Sequence, residues 1–588
     1  MGARRTKTAP LRTSFPVVRY FVRTVFFFCN SAPSMKTGST LLPAALLLIL
    51  ASLALAHDHG DEHGDMNMDM HTDKAHSHPL PSHNTSISTN AGADASNAYY
   101  FALAPHRGWL YLHILTMLLS WVIIMPVATT LSLASSRHHV PAQISFLTTN
   151  VAGIVFAAVH AGLTEDLYPA ASHRKLGWAL LVILGVQAAV GMLARVVRNS
   201  GHEHGGGGGF RAVPAYEDEA YSRLYSDRRS ADSGHGGSVD QESSGYGDED
   251  HGLEWVGEKS ARGRWWVDLA TLENALSASV PGIFNERVVK ICNLVYSVIA
   301  RFLIPLGFTQ ICLGIVTGAG IFMGSSVLNG LAHFIKGGVF FLYGILTLSR
   351  WLGAFSELGW SWNLKPTTSR AFTCETVESG GIFLYGCANV FLEHLASWGG
   401  AWSHGDLQHV SIAFMFLGGG LLGLLLESTW IWLVLGGQDH SDHPAHNAGF
   451  TPNPLPALVI FLLGTLMSQH HQHSHFSSTI HTQWGALLAA AAVCRSLTYL
   501  LFFRVPPRST QPTRPPTEVL TAFCLIAGGV VFMCSNRDTV NYLERIGVDA
   551  MFSLTLTVGV TALCMCWVTV VVAVGAWAGG RKAEVERV

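Results

Sequence analysis

Histidines gather at predicted helix ends in this chain, and imidazole is the side chain that most often ligates metal ions and haem. The segments EHLASWGGAWSHGDLQH (393–409) and HHQHSHFSSTIH (470–481) each follow an apolar run. Zn(II) takes about four N, S or O ligands, and Cu(II) favours nitrogen. We therefore predict a copper or zinc site. The alternative for the 470–475 loop is a solvated histidine-rich segment that changes protonation with pH and binds no metal ion tightly. The candidate ligands are His333, Glu393, His394, His404, His409, His470, His471, His473, His475 and His481.

A second histidine-rich segment, HDHGDEHGDMNMDM, covers residues 57–70. Chain cleavage after Ala56 would place His59 third from a free amine, next to His57, and such an end can bind Cu(II) in square-planar nitrogen. The alternating Met66, Met68 and Met70 offer thioethers suited to Cu(I). The alternative is an acidic, disordered tail that binds ions weakly.

The composition predicts an all-α, polytopic membrane helix bundle whose main partner is the lipid bilayer. Of the 588 residues, 49% are hydrophobic and 13% are charged, about half the charge of a soluble domain. The net charge of -2 gives no basic field for nucleic acid. Apolar runs of about 20 residues can each cross a bilayer, although 454–469 is short and could be re-entrant. We predict about eleven spans, near 109–132, 144–163, 176–196, 302–322, 329–350, 380–397, 410–436, 454–469, 482–503, 517–534 and 549–577.

The N-terminal region predicts entry into the secretory pathway. Residues 35–56 have the basic start, short apolar core and small-residue cleavage site of a signal peptide, so residues 1–34 are interpreted as an upstream extension. Residues 57–100 then form a lumenal tail. Asn84 begins an Asn-Thr-Ser sequon that is glycosylated only on that side.

Basic residues set the predicted orientation. The loop 504–516 carries Arg504, Arg508 and Arg514 and is assigned to the cytosol, whereas 470–481 has no Lys or Arg and is assigned to the lumen. The N-terminus is then lumenal, the tail 578–588 cytosolic, and the candidate histidines face one non-cytosolic compartment. The membrane is a vacuolar, other endomembrane or plasma membrane.

The spans divide into two predicted modules. Residues 101–200 form the first module and 328–577 a seven-helix second module, with a connecting helix at 290–327. The segment 201–289 is rich in Gly, Ser and acidic residues, which predicts a disordered cytosolic linker.

The first module resembles the cytochrome b561 superfamily. The resemblance rests on His113, Met117, Trp121 and Pro126 in one helix and on His173, Gly177, Gln187 and Gly191 in another. It implies one haem b held by His113 and His173, with His160 as a competing ligand. A second histidine pair of that family is missing, so at most one lumen-side haem is expected. Bis-histidine ligation suits electron transfer, because no iron position stays open.

The whole of 100–577, including GIFLYGCANVFLEH (381–394), resembles the fungal "yeast putative transmembrane protein" family, whose reaction is undefined. That resemblance implies a b561-like region joined to a C-terminal membrane domain. Charges inside apolar helices, Lys336 and Arg495, are expected to face the bundle interior or to extend to a membrane interface, which is feasible for Lys336 near its lumenal end, whereas Arg495 lies deeper. The sequence assigns no catalytic residue and leaves open whether the protein is an enzyme. Three functions stay open: metal-ion handling, lumen-side haem electron transfer, and a non-enzymatic scaffold or trafficking role.

Overall fold

The computed structural model is helical throughout the residues it describes, with no strand among them. Those residues are 99–103, 106–134, 136, 138–202, 286–323, 327–366, 372–393, 399–435, 453–469, 472 and 474–585. This confirms the predicted all-α membrane fold. Predictions for the signal peptide, the histidine- and methionine-rich tail and most of the linker lie outside this part of the chain.

Twelve helices organise the described chain, with a one-turn helix at Tyr100–Leu103, another at Thr429–Val434 and a 3-10 turn at Ser356–Leu358. The twelve are α1 Arg107–Leu133, α2 His139–Leu163, α3 Ser172–His202, α4 Glu286–Ala319, α5 Val327–Leu352, α6 Cys374–Leu392, α7 His404–Leu426, α8 Leu455–Ser468, α9 His475–Arg504, α10 Pro516–Cys534, α11 Arg537–Arg545 and α12 Ala550–Val585.

Each of the eleven predicted spans coincides with one of these helices. Within the described residues, nine helices are long and apolar enough to cross a bilayer. The other two are α8, with only 14 residues, and α6, whose 19 residues include Glu375 and Glu378. Helix α6 begins six residues before its predicted start because the Thr373 side chain caps it, accepting a hydrogen bond from the Thr376 N–H.

The chain separates into two units, residues 1–182 with 300–588, and residues 183–299. In the second unit, the Tyr296 ring lies against Gly191. The first unit contains the second predicted module and residues 101–182 of the first. The Tyr168 hydroxyl of the first module donates to the Ile321 and Phe322 carbonyls of the connecting segment at 2.9 and 3.0 Å. All sites described below belong to this first unit.

Small residues bring α5 and α10 close together. A methyl group added at Gly337 would lie 2.6 Å from the Gly529 carbonyl, and one at Gly529 equally close to the Gly337 carbonyl. Such approach is the usual device for packing helices in lipid, where van der Waals contact replaces the hydrophobic effect. Beside this crossing, Trp484 is fully buried and stacks on Phe532 with ring centres 4.1 Å apart.

Helix α1 contains a π-helical turn at Leu119–Ile124, just before Pro126. A π turn disturbs the regular backbone hydrogen-bond ladder, and the Trp567 indole N–H of α12 donates to the Val122 carbonyl there at 2.8 Å. The turn also carries Trp121, which is buried against Phe146. The π turn therefore lies at a packing contact of α1, about two turns after His113.

Candidate functional site

His113 of α1 and His173 of α3 lie next to each other, as the sequence predicts. Their ring centres are 6.2 Å apart and their planes are nearly perpendicular, at 77°. His113 is in the second turn of its helix and His173 in the first turn of its own, so both rings lie near one end of the bundle. Two imidazoles on opposite sides of one metal, with metal–nitrogen distances of roughly 2 Å, need a similar separation.

Backbone carbonyls hold both rings in a defined orientation. His113 Nδ1 lies 2.8 Å from the Gly153 carbonyl, and His173 Nδ1 lies 3.3 Å from the Gln310 carbonyl. Since a carbonyl only accepts, Nδ1 carries the proton in each ring and Nε2 keeps its lone pair. Metal-ligating histidines use this same arrangement to fix their tautomer.

The remaining neighbours position the pair. Gln310 Nε2 donates to the His173 carbonyl at 2.9 Å, and Gly314 faces the His173 ring, where a side chain would press on it. His160 is buried but turned elsewhere: its Nε2 lies 3.4 Å from the Thr164 hydroxyl. The structure therefore brings together His113 and His173 and leaves His160 outside the pair.

The loop between α2 and α3 anchors the start of α3. Arg174 Nη2 donates to Asp166 Oδ2 at 2.7 Å, and the Tyr100 hydroxyl donates to Asp166 Oδ1 at 3.2 Å. Burial is the largest single influence and raises the pKa of Asp166, but the hydrogen bonds from Arg174, the Tyr168 N–H and Tyr100, together with the charge of Arg174, outweigh it and leave the pKa below its usual value. The resulting ion pair is exposed and solvent-screened, so its main effect is to orient the loop.

A second histidine pair joins α5 and α9. His333 and His481 have ring centres 6.4 Å apart and planes at 84°. His333 Nδ1 lies 2.9 Å from the Asn329 carbonyl and His481 Nδ1 lies 2.8 Å from the Ser477 carbonyl. The ring spacing of the first pair, with each Nδ1 directed to a backbone carbonyl, therefore recurs in a different pair of helices, where each carbonyl belongs to the residue four positions earlier in the same helix.

Glu393 contacts His409, and the same carboxylate also contacts the ammonium group of Lys336. Glu393 Oε2 lies 3.0 Å from His409 Nδ1, while its Oε1 accepts from Lys336 Nζ at 2.6 Å and from Asn389 Nδ2 at 2.7 Å. The positive charge of the Lys336 ammonium group disfavours the binding of a metal ion at the Glu393 carboxylate.

The other predicted ligands are dispersed or outside the described chain. His404 is exposed and contacts Gln408, and His475 is exposed at the start of α9. Across the described residues, no group of three or more His, Cys, Asp or Glu is arranged to hold a metal ion. The predictions for the following residues fall outside the described residues: His57, His59, Met66, Met68, Met70, Asn84, His394, His470, His471 and His473.

Five charged side chains are buried together in the bundle, and we call them the five-charge cluster. Only one of them, Arg495, was identified from the sequence. Arg495 and Glu518 are paired at 2.8 Å between Nε and Oε1, and Glu378 Oε1 lies 3.1 Å from Arg350 and 3.2 Å from Arg495. The signal in the sequence was the set of charges that interrupt apolar helices. The cluster consists of Arg350 of α5, Glu375 and Glu378 of α6, Arg495 of α9 and Glu518 of α10, all at most 7% exposed.

The cluster and the histidines lie at opposite ends of the helices they share. In α5, His333 is near the start and Arg350 near the end; in α9, His481 precedes Arg495 by about four turns. We call the end with His113, His173, His333, His409 and His481 the histidine end. An apolar cluster that includes Phe101, Tyr168, Ile321, Phe334 and Tyr542 joins the predicted modules there.

These features define a polytopic helical membrane protein with paired histidines at one end and a buried charge cluster at the other. Residues 306–576 match the family described as "Protein YTP1-like, C-terminal", and residues 93–197 match a domain of unknown function, DUF2427. The chain is 34% identical over 496 residues to the uncharacterized membrane protein C3B8.06 of Schizosaccharomyces pombe, covering 78% of this chain and 92% of that protein. It belongs to the YTP1-like family of fungal membrane proteins.

Two proteins of Saccharomyces cerevisiae are also similar. The uncharacterized membrane protein YCR061W is 43% identical over 297 residues, which is 47% of each chain. Protein YTP1 is 26% identical over 262 residues, 44% of this chain and 50% of that protein. No solved structure matches the chain. The names confirm the predicted fungal membrane-protein family and state no reaction.

Proposed function

We propose that the protein binds one haem b between His113 and His173 and serves in electron transfer at the histidine end. The observation that carries this proposal is the pair's geometry: ring centres 6.2 Å apart with each Nδ1 directed to a backbone carbonyl. The resemblance of the first module to the cytochrome b561 superfamily points to the same two residues.

The residues present fit such a group in their donor chemistry. Two neutral imidazoles with Nε2 as the ligating atom are the usual axial set of electron-transfer haems, and the haem would supply one-electron chemistry when bound. The surrounding side chains hold the ligands: Gln310 fixes the backbone at His173, and the π turn lies at a packing contact of α1 about two turns after His113.

Metal-ion handling is the second candidate, and the His333–His481 pair favours it. Two imidazoles with matched Nδ1 hydrogen bonds can provide half of a tetrahedral site, with two water molecules completing it. The set Glu393, His394, His404 and His409 is less favourable, because Lys336 occupies the Glu393 carboxylate.

We also propose that the histidine end faces the lumen or the cell exterior. This orientation follows from the arginines of the 504–516 loop, at the opposite end. It would give both histidine pairs access to one non-cytosolic compartment.

One purification tests the two candidates together. The full chain is purified in mild detergent, and its absorption spectrum and its iron, copper and zinc contents are measured. The haem proposal expects about one iron per chain and a Soret band that is lost in His113→Ala and in His173→Ala but kept in the matched control His160→Ala. Zinc or copper without a Soret band, lost in His333→Ala, would instead support the second candidate. A protein with neither signal, after expression with added haem precursor and metal, would refute both.

A further inference from the structure

We propose that Glu375 is a proton-binding site within the membrane-spanning bundle and holds a proton at neutral pH. The proposal concerns the five-charge cluster, at the opposite end of the helices from the histidines, and does not depend on haem or metal binding. Its ligand is a proton, and it gives the protein a group that can couple proton uptake or release to a change in helix packing.

The charge balance of the cluster supplies the first argument. Full ionisation would place two guanidinium groups, Arg350 and Arg495, against three carboxylates, Glu375, Glu378 and Glu518, and leave one uncompensated negative charge in the bundle. An isolated ionised carboxylate is costly in an apolar interior, and such a group usually becomes neutral instead. One of the three carboxyl groups is therefore expected to carry a proton.

The distances select Glu375 as that group. Glu378 Oε1 bridges the two arginines at 3.1 and 3.2 Å, and Glu518 lies 2.8 Å from Arg495 Nε. The Glu375 carboxylate is 3.8 Å from the Arg350 guanidinium, beyond hydrogen-bond distance, and its buried Oε1 has no hydrogen-bond partner. Glu375 is thus the one of the three carboxyl groups without a close guanidinium partner.

The other neighbours of Glu375 also disfavour a negative charge. Glu427, at the end of α7, is a further carboxylate on this side, and it accepts hydrogen bonds from Thr373, Thr376 and Asn453. Tyr499 of α9 and Cys374 of α6 are the remaining titratable groups nearby. Arg350 is the only cation that faces Glu375 among the described residues, and it is shared with Glu378.

A small cavity beside the cluster borders Glu378, and Glu375 is not among its lining residues. It has a volume of about 10 Å³ and is lined by Glu378, Arg495, Tyr343 and Thr521 among others. That is close to the smallest space that holds one water molecule. Glu378 Oε2 is buried without a hydrogen-bond partner. A water in this cavity could accept a hydrogen bond from Arg495 and donate one to Glu378.

Infrared spectroscopy of the purified full chain tests the proposal directly. The C=O stretching band of a protonated carboxyl group is expected in the wild-type protein at pH 7 and is expected to be lost in Glu375→Gln. It should persist in the matched control Glu427→Gln. A wild-type spectrum without the band, or a band unchanged in Glu375→Gln, would overturn the proposal.

Stability measurements test the protonation of Glu375 independently of the infrared spectrum. Glutamine has the shape of a protonated glutamate, so Glu375→Gln should fold and keep the thermal half-life of the wild type in detergent within about twofold. Glu378→Gln removes a charge that both arginines require, and its half-life should fall by roughly tenfold or more. If Glu375→Gln fails to fold or loses more stability than Glu378→Gln, Glu375 is ionised and the proposal is wrong.

Discussion

The Lys336 ammonium lies 2.6 Å from a Glu393 carboxylate oxygen, although the two residues are 57 positions apart. The same carboxylate accepts a hydrogen bond from Asn389 and lies 3.0 Å from His409 Nδ1. A charge inside an apolar helix is thereby compensated by a group at the end of the next span. The pair also changes the chemistry predicted for Glu393, because a lysine competes with any metal ion there.

Removing this lysine is expected to lower stability and to expose a metal site. Lys336→Met leaves Glu393 without its cation in a largely buried position, which should cost about 1–3 kcal/mol. The double variant Lys336→Met/Glu393→Gln should recover part of that loss. The apparent unfolding temperature in detergent measures both.

Cobalt provides the second measurement on the same variant. Co(II) absorbs visible light when nitrogen and oxygen ligands surround it, and Lys336→Met should bind it more tightly than the wild type through Glu393 and His409. The double variant Lys336→Met/Glu393→Gln should not bind Co(II) more tightly than the wild type, because it lacks the Glu393 carboxylate. Equal cobalt binding in all three proteins would show that Lys336 does not control this carboxylate.

The crossing of α5 and α10 should be sensitive to a single methyl group. Gly337→Ala places Cβ 2.6 Å from the Gly529 carbonyl, and such overpacking costs about 1–3 kcal/mol. Gly381→Ala is the matched control, since no atom beyond its own stretch of helix lies within 4 Å of its added Cβ. Thermal unfolding in detergent should show a loss for Gly337→Ala, and no loss or a small gain for Gly381→Ala. Similar behaviour of the two variants would contradict this helix packing.

Trp484 is expected to be a main contributor to the core of the C-terminal helices. It is fully buried and stacks on Phe532, so Trp484→Ala should cost about 3–5 kcal/mol. Trp430, which is 66% exposed, supplies the control. Folded yield and half-life at raised temperature compare the variants, and a larger loss for Trp430→Ala would count against the assigned core.

The orientation of the N-terminal tail can be tested through its glycosylation sequon. If residues 57–100 are lumenal, Asn84→Gln should increase the gel mobility of the chain by the mass of one glycan. Endoglycosidase treatment should abolish the difference between the two proteins. A sequon introduced in the 504–516 loop, where we expect no modification, serves as the control. Modification of that loop, with Asn84 unmodified, would reverse the proposed topology.

The hydropathy pattern was sufficient to predict the spans, because each helix satisfies its own backbone hydrogen bonds and needs only enough apolar residues to cross the bilayer. For the same reason, all eleven predicted positions correspond to helices. Helix starts were less accurate: α6 begins at Cys374 and α7 at His404 because side chains of Thr373 and Ser403 cap them. Those capping residues are visible in the sequence, but the charged and polar first turns obscured them.

Side-chain partnerships were decided by the tertiary structure. The sequence pointed to His113 and His173 as a pair, since both lie near helix starts on one face, but His333 and His481 are 148 residues apart and carry no shared motif. Arg495 was recognisable as a charge in an apolar helix, whereas its partners Glu378 and Glu518 come from two other helices. Hydropathy assigns a residue to the membrane one segment at a time. The neighbour that compensates its charge depends on how helices far apart in sequence pack, and that is a property of the assembled bundle.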